Sequence, residues 1–375
     1  MKNEKNIYIC DAMLYLIIMK RLLSITLLML IINTLSNAQN MESARQAVSN
    51  MTIGWNLGNT LDAMGKRDKK CVTPEDWETS WDEPVTTREM IHAFKERGFN
   101  VIRIPVTWWP HLDEIDHIDE AWLNRVNQVV DYVIQEGMYC ILNVHHDTGT
   151  HGWLNSNPAK YPEISKRFKS LWIQIADRFK DYDNKLLFEG FNEMLDSKGT
   201  WDHTEVENYT AINLLAQDFV DVVRRTGGNN EYRNLIVTTY SANAGEITLN
   251  NFRLPSDVHK GHLIGEIHFY DPQDFCFPEK EPTIYTDEYR NISKTVINRA
   301  ADYFDCIDIP LIIGEIAAFD KKNTAERVKF SEFVASEAKK RGIVLVWWMG
   351  LLDRKKCKWS EPEIVDALMK GIGRK

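Results

Sequence analysis

The chain has 375 residues, of which 44% are hydrophobic, 26% charged and 11% aromatic, and these are the proportions of a globular protein. They exclude disordered, fibrous and low-complexity chains. The 45 basic and 54 acidic residues give a formal net charge of −9 and no basic run stands out, so a nucleic-acid-binding surface is not expected. The length allows either one α/β barrel or two smaller domains.

The N-terminus carries a targeting signal. The basic pair Lys20-Arg21 precedes the apolar run Leu22–Ile32, and Ser36-Asn37-Ala38 supplies the small residues of a signal-peptidase site. This run is shorter than the roughly 20 residues of a membrane span. We therefore expect residues 1–38 to be an N-terminal extension and secretory signal peptide with Met19 as the true start, followed by an exported domain.

Short apolar segments alternate with longer amphipathic segments along the rest of the chain, which is typical of parallel strands joined by helices. Strands are predicted at Thr52–Asn56, Asn100–Pro105, Tyr139–Val144, Leu186–Phe191, Leu235–Thr239, Leu263–Phe269, Leu311–Gly314 and Val344–Trp348. Some are apolar without alternation, as Leu311-Ile312-Ile313 is, and burial on both faces of a parallel sheet predicts that pattern.

Apolar residues at helical spacing follow most of these strands, and only the fifth connection looks like a loop. The predicted helices are Thr87–Arg97, Glu120–Glu136, Glu163–Phe179, Glu205–Arg225, Glu288–Phe304, Ala325–Lys340 and Glu361–Met369. Gly98, Gly137, Gly227 and Gly342 each stand between a helix and the next strand, where a left-handed C-cap is expected. No linker divides the chain, so we predict one domain of the α/β class, a single (β/α)8 TIM barrel, over residues 39–375.

Two glutamates at strand ends are the strongest candidates for chemistry, because the active site of such a barrel lies at the C-terminal ends of its strands. Glu193 and Glu315 follow the fourth and seventh strands, which face each other across the barrel mouth. Glycoside hydrolysis needs such a pair, one carboxyl protonated and the other ionised. The alternative is a salt-bridge role for either residue, since structural ion pairs outnumber catalytic ones.

Other polar residues at the same strand ends complete the candidate site. Arg103 lies in an apolar strand and needs a buried anionic partner, for which Glu315 is the candidate; it could instead lock two strands together. Tyr270 is placed to hydrogen-bond Glu315, and His145 and His268 are candidates for binding sugar hydroxyls.

Residues that could bind a metal ion, and tryptophans that could bind a sugar ring, also lie near the strand ends. His145-His146-Asp147 has ligand chemistry that zinc accepts, but the first strand offers Trp55 and Asn56 instead of a His-x-His pair, so neither metal nor cofactor is predicted. Indole rings can stack on a pyranose. The tryptophans near strand ends are Trp55, Trp108, Trp109, Trp153, Trp201, Trp347 and Trp348, whereas Trp122 and Trp172 lie within helices and are assigned to packing.

Of six cysteines, five follow the predicted cleavage site, and an odd number argues against a disulfide framework. Cys140 lies inside an apolar strand and is interpreted as a core residue. Cys71 and Cys357 fall in loops that are neighbours in a closed barrel, so a bridge between them is left open.

Six motifs, in order along the chain, resemble glycoside hydrolase family 5, the cellulase family within the clan of retaining (β/α)8 glycosidases. They are Gly54-Trp55-Asn56-Leu57-Gly58-Asn59-Thr60-Leu61-Asp62-Ala63, Val101-Ile102-Arg103-Ile104-Pro105-Val106, Asn143-Val144-His145-His146-Asp147, Phe188-Glu189-Gly190-Phe191-Asn192-Glu193, His268-Phe269-Tyr270 and Ile313-Gly314-Glu315. The resemblance runs from about Gly54 to Trp348.

The resemblance implies a retaining endo-β-1,4-glucanase in which Glu193 is the acid/base and Glu315 the nucleophile. The predicted substrate-binding residues are Asn59, Arg103, His145, His146, Asn192, His268, Tyr270 and Trp348. Many relatives continue the last strand with Asp-Asn-Gly, but Trp348 is followed here by Met349-Gly350, so the family's contacts beside the −1 and −2 subsites are not carried over.

The predicted reaction is double displacement on cellulose-like, mixed-linkage or xyloglucan chains, without a cofactor. The expected partner is a β-glucan polysaccharide or oligosaccharide, and neither nucleic acid nor a membrane span is expected. The alternatives are a β-mannanase of the same fold and a non-catalytic glycan-binding barrel. Residence in the periplasm or outside the cell is expected after cleavage near Ala38.

Overall fold

The structure is a computed structural model that describes residues 19–21, 24, 41–66, 70–150, 152–279 and 283–374. Most of the predicted signal peptide lies outside the described residues. The chain divides into two compact units, Met1–Met41 and Glu42–Lys375, and every described strand belongs to the second. In the part of the chain that the structure describes, no helix combines the length and apolar character needed to cross a membrane.

Eight parallel strands close into one barrel in the order of the sequence, which confirms the predicted fold. They are β1 (Gly54–Asn56), β2 (Val101–Ile104), β3 (Tyr139–Asn143), β4 (Leu186–Glu189), β5 (Leu235–Thr238), β6 (Leu263–Phe269), β7 (Leu311–Ile316) and β8 (Val344–Trp348). All of their residues except Trp348 are buried, because the strands pack on both faces.

The strand β7 is longer than predicted and irregular. It runs to Ile316, so Glu315 lies within the strand and not after it. Its pairing with β6 shifts register after Ile313, where Glu315 pairs with His268, and its pairing with β8 shifts over the same residues. Such a bulge redirects a side chain without ending the strand.

The helices around the barrel agree closely with the predicted ones. They are α1 (Ala44–Asn50), α2 (Pro74–Glu78), α3 (Arg88–Glu96), α4 (Glu120–Gln135), α5 (Tyr161–Arg178), α6 (Val206–Arg225), α7 (Glu246–Asn251), α8 (Gln273–Cys276), α9 (Asp287–Cys306), α10 (Thr324–Lys340) and α11 (Pro362–Gly371). The prediction of a loop in the fifth connection was wrong, since α7 lies there; its six residues are too few to show a helical period. The four inter-element glycines have positive φ, as predicted.

The helix α1 closes the N-terminal end of the barrel. It starts at a capping box in which Ser43 and Gln46 satisfy each other's backbone amides. Its Ala47 and Val48 are buried in one cluster with inward-facing residues from the starts of the strands, such as Val101. The C-terminus lies at the same end, because Arg374 donates to the carbonyl of Gly98, just before β2.

The cysteines do not form the bridge that the sequence left open. The thiol of Cys71 lies 3.5 Å from the carbonyl oxygen of Asp76, and that of Cys357 lies 3.9 Å from the carbonyl oxygen of Arg354. Cys140 is fully buried in β3, as predicted.

Candidate active site

A cavity of about 750 Å³ opens at the C-terminal ends of the strands. Eight of the ten predicted site residues line it: His145, His146, Asn192, Glu193, His268, Tyr270, Glu315 and Trp348. The other two, Arg103 and Asn59, are not lining residues. Arg103 is fully buried, and its partners place it directly beneath the cavity.

The guanidinium of Arg103 uses all of its N–H groups as donors to the site. Its Nε and Nη2 donate to the two oxygens of Glu189 at 2.6 and 2.7 Å. Its Nη1 donates to Glu315 Oε1 at 2.8 Å and to Asn56 Oδ1 at 2.9 Å, and its Nη2 also donates to Asn192 Oδ1 at 2.8 Å. Arg103 therefore joins strands β1, β2, β4 and β7 through one fork of donors.

The predicted pairing of Arg103 with Glu315 is confirmed, but sequence reasoning missed Glu189. This glutamate is fully buried at the end of β4 and takes both parallel bonds of the guanidinium. The signal was available: a charged residue inside the apolar run Leu186-Leu187-Phe188 needs a buried partner, as Arg103 does.

Replacing Arg103 by Met is expected to lower the free energy of unfolding by about 3–5 kcal/mol, because it leaves two buried carboxylates without their cation. Denaturant unfolding would measure the change. The matched control is Arg45→Met, whose partner Asp308 is on the surface with side chains 55% and 91% exposed, and no measurable change is expected there. Equal effects of both substitutions would contradict the assignment.

The two candidate catalytic carboxylates meet at His268. Its Nδ1 lies 2.8 Å from Glu193 Oε1 and 3.5 Å from Glu315 Oε2. Tyr270 donates its hydroxyl to Glu315 Oε2 at 3.0 Å. A carboxylate oxygen of Glu193 and one of Glu315 lie within 4.8 Å of each other. The two carboxyl groups therefore approach each other closely through these oxygens, as the roughly 5 to 5.5 Å spacing of a nucleophile and acid/base pair requires.

Burial and charge set the protonation of this cluster. Burial works against a charge on His268, but the carboxylates of Glu315 and Glu193 outweigh it and raise the pKa of His268 to about 9. Burial raises the pKa of Glu315 above its ordinary value, although the charges of His268 and Arg103 oppose that rise. Near neutral pH the imidazole of His268 is therefore cationic and can donate to Glu193.

The two neighbouring histidines after β3 have different environments. Burial lowers the pKa of His145 well below its ordinary value, and its ring lies parallel to that of Trp348 at 5.7 Å. His146 is partly exposed in the cavity and lies 3.7 Å from Asp62 Oδ2. A neutral His145 stacked on the indole and a polar His146 are both suited to bind hydroxyl groups.

Within the described part of the chain, two groups bring three metal-ligating side chains within 4.8 Å: Asp62, His145 and His146, and also Glu193, His268 and Glu315. Their oxygens already accept hydrogen bonds. Asp62 accepts from the backbone amides of Asn59 and Thr60, and Glu315 accepts from Arg103 and Tyr270. The fixed cation Arg103 beside Glu315 already compensates the charge of an ionised carboxylate, so a metal ion is not needed there.

The tryptophans near strand ends divide between the cavity and the core. Trp201 and Trp348 line the cavity. Trp55, Trp108 and Trp347 are instead buried in the core, as Trp122 and Trp172 are. Trp109 and Trp153 are not among the lining residues.

The backbone is left-handed at Asn59 and in the turn after Trp348. Asn59 has a φ of 60°, and its backbone amide donates to Asp62, so its part in binding substrate stays a prediction. Met349, Gly350 and Leu351 all have positive φ, and the carbonyl of Met349 accepts from the indole of Trp55. The departure after Trp348 is thus a tight turn that is anchored to β1.

The chain is similar to known cellulases and endoglucanases. Residues 66–350 match the family model Cellulase (glycosyl hydrolase family 5). Endoglucanase A of Clostridium longisporum is 36% identical over 352 residues, which are 89% of this chain and 67% of that protein.

Two solved structures share the fold and bind glycans. A mutant of a glycoside hydrolase family 5 enzyme from Prevotella bryantii B14, in complex with a xyloglucan tetradecasaccharide, superposes with a TM-score of 0.83 at 39% identity, covering 89% of this chain and 99% of that one. A GH5-4 broad specificity endoglucanase from Ruminococcus champanellensis with bound cellotriose gives a TM-score of 0.84 at 39% identity, covering 88% and 98%.

Proposed function

Because the chain belongs to glycosyl hydrolase family 5 and is a cellulase-type glycoside hydrolase, we propose that it is a secreted, retaining endo-β-1,4-glucanase. Glu315 attacks the anomeric carbon while Glu193 protonates the departing sugar oxygen. Glu193 then removes a proton from water, and the hydroxide oxygen displaces Glu315 from the glycosyl-enzyme. The C1–O bond to the leaving sugar breaks in the first step, and the bond from C1 to Glu315 forms and later breaks.

The observation that carries this proposal is the arrangement of the two carboxylates. Glu193 follows the end of β4 and Glu315 lies in β7, their nearest oxygens are within 4.8 Å, and of the two only Glu315 accepts from the cation Arg103. Arg103 and Tyr270 favour the ionised form of Glu315, as a nucleophile requires. Glu193 has no arginine partner and is about one-fifth exposed, at a place where it can reach a leaving group.

Substrate class is inferred from the relatives and from the shape of the site. The Prevotella enzyme binds a xyloglucan fragment and the Ruminococcus enzyme binds cellotriose. The cavity of this chain has a volume of about 750 Å³, and Trp201 and Trp348 line it as flat apolar surfaces. These features support internal cleavage of β-1,4-glucan backbones, with or without branches. A β-mannanase and a glycan-binding barrel remain the alternatives.

Secretion is proposed from the sequence of residues 1–38 alone. The signal peptide would deliver the domain to the periplasm or the cell exterior, where polymeric glucans occur. N-terminal sequencing of the protein from a secreting host tests this part, and an uncleaved N-terminus would contradict it.

The test of the function is reducing-end release from carboxymethyl-cellulose, mixed-linkage β-glucan, xyloglucan and glucomannan, with Glu315→Gln measured beside the parent protein. We expect activity on the glucans that is lost in the variant. Activity confined to glucomannan would keep the mechanism and change the substrate to mannan. Binding to the polymers without product release would support the glycan-binding barrel.

A further inference from the structure

A third glutamate, Glu266, is buried behind the site, and the proposed mechanism does not use it. It lies in the middle of β6, two residues before His268, and is fully buried. Among the described residues, no hydrogen-bond partner reaches either of its carboxyl oxygens. A buried carboxyl group with no partner is costly, so its presence inside the barrel needs an explanation.

The surroundings of Glu266 fix its side chain against the back of the cavity. Its Oε1 lies 3.7 Å from Arg103 Nε and 3.9 Å from His268 Nε2. A Cβ atom placed on Gly314, at the bulge of β7, would lie 1.6 Å from that oxygen. Gly314 therefore leaves the room that the carboxyl group of Glu266 occupies, beside the backbone that carries Glu315.

Carboxyl groups outnumber cations around Glu266: Arg103 and His268 lie within 4 Å of its Oε1 without donating to it, and both donate or lie close to other glutamates. Every N–H of Arg103 is already donated to Glu189, Glu315 and two asparagines. The carboxylates that face Glu266 are those of Glu189 and Glu315, and both repel a further negative charge. Burial, together with Glu189, raises the pKa of Glu266 well above its ordinary value, although Arg103 and His268 oppose that rise.

The neighbour through which Glu266 can act is His268, whose two nitrogens face two different glutamates. Nδ1 contacts Glu193, and Nε2 faces Glu266. The other charged groups around the imidazole are Glu315 and Arg103. His145 is nearby, but burial keeps it neutral.

We propose that Glu266 is a positioning residue that acts as a neutral carboxylic acid, whose carbonyl oxygen steers the Nε2–H of His268 so that Nδ1–H stays directed at Glu193. The inference rests on the proposed function. The neutral acid orients the imidazolium without neutralising it, so the positive charge of His268 stays available to Glu193 and Glu315. An ionised Glu266 would attract the imidazolium and weaken its bond to Glu193.

Two substitutions separate this role from simple space filling. Glu266→Met keeps a long side chain but removes the carbonyl oxygen, and Glu266→Gln keeps that oxygen and cannot ionise. For Glu266→Met we expect kcat/KM on mixed-linkage β-glucan to fall about tenfold, because the attraction between the carbonyl dipole and the imidazolium of His268 is lost. On a dinitrophenyl β-cellobioside, whose leaving group needs no proton from Glu193, we expect no fall.

Glu266→Gln is expected to keep the activity on β-glucan that Glu266→Met loses. The alkaline limb of its pH profile should move to higher pH, because residue 266 can no longer ionise. Circular dichroism on each variant controls for folding. Loss of activity in Glu266→Gln would overturn the proposal by showing that the ionised form works. Equal losses of Glu266→Met on both substrates, or none on either, would also overturn it.

The activity of the parent protein distinguishes a failure of the role proposed for Glu266 from a failure of the proposed function. Parent activity that Glu315→Gln abolishes keeps the proposed function in place while the Glu266 variants are judged. A parent protein that is inactive on every glucan would overturn the proposed function itself, and the role of Glu266 with it.

Discussion

Glu315→Gln is expected to lower kcat/KM on β-glucan by at least about 10⁴-fold, because a neutral amide cannot form the glycosyl-enzyme bond. Glutamine has nearly the same shape: its carbonyl oxygen can still accept from Arg103, and its amide nitrogen can donate to the hydroxyl oxygen of Tyr270, the two groups that contact Glu315. The loss should therefore be one of chemistry, with substrate affinity and folding preserved. Reducing-end assays would measure the rate, and calorimetric titration with cellotetraose would measure binding.

The matched control is Glu163→Gln, the same substitution at an exposed position of α5 on the outside of the barrel. We expect parental rates for that variant. Residual activity of Glu315→Gln within tenfold of the parent would rule out Glu315 as the nucleophile. Loss of both binding and turnover would instead mark it as a residue that holds the site together.

Glu193→Ala is expected to have an effect that depends on the leaving group. On β-glucan, where a sugar oxygen must be protonated as it departs, kcat/KM should fall by about 10²–10⁴-fold, the usual contribution of a general acid. On a dinitrophenyl β-cellobioside kcat/KM should stay near the parental value, since that leaving group needs no proton. Stopped-assay kinetics on the two substrates provide the comparison.

The second half of the cycle gives an independent check on Glu193. Without a base to activate water the glycosyl-enzyme should accumulate, so kcat on the aryl substrate should fall and a burst should appear. Azide, a small anion that needs no base, should restore kcat and give a β-glycosyl azide. Equal losses on both substrates, with no rescue by azide, would mean that Glu193 is not the acid/base.

The sequence was sufficient to predict the barrel and the two candidate carboxylates, since both depend on local pattern. Buried parallel strands are apolar runs, and residues at their C-terminal ends meet at one face. The family resemblance then assigned roles to individual residues. The part that Glu189 and Glu266 play in the site was not predicted. Contacts inside a barrel join residues from strands that are far apart in sequence, and local sequence patterns do not show them.

The bulge of β7 and the tryptophans show another limit. Neighbouring strand residues point to opposite faces, so Trp347 is buried while Trp348 borders the cavity, and nothing in the pair Trp347-Trp348 indicates which is which. An extra residue changes that alternation, and Gly314 adds one next to Glu315. The direction of a side chain at this site therefore depends on the register between neighbouring strands, and the amino-acid sequence of one strand does not reveal that register.

Because α1 closes the N-terminal end of the barrel, the enzyme can be immobilised through that end. Both Glu42, whose carbonyl accepts from Asn234 just before β5, and Arg374 lie at the end of the barrel that is remote from the cavity. A tether attached at Glu42 or at Arg374 leaves from that closed end. A domain coupled to a bead at either residue therefore presents its open face to the surrounding liquid.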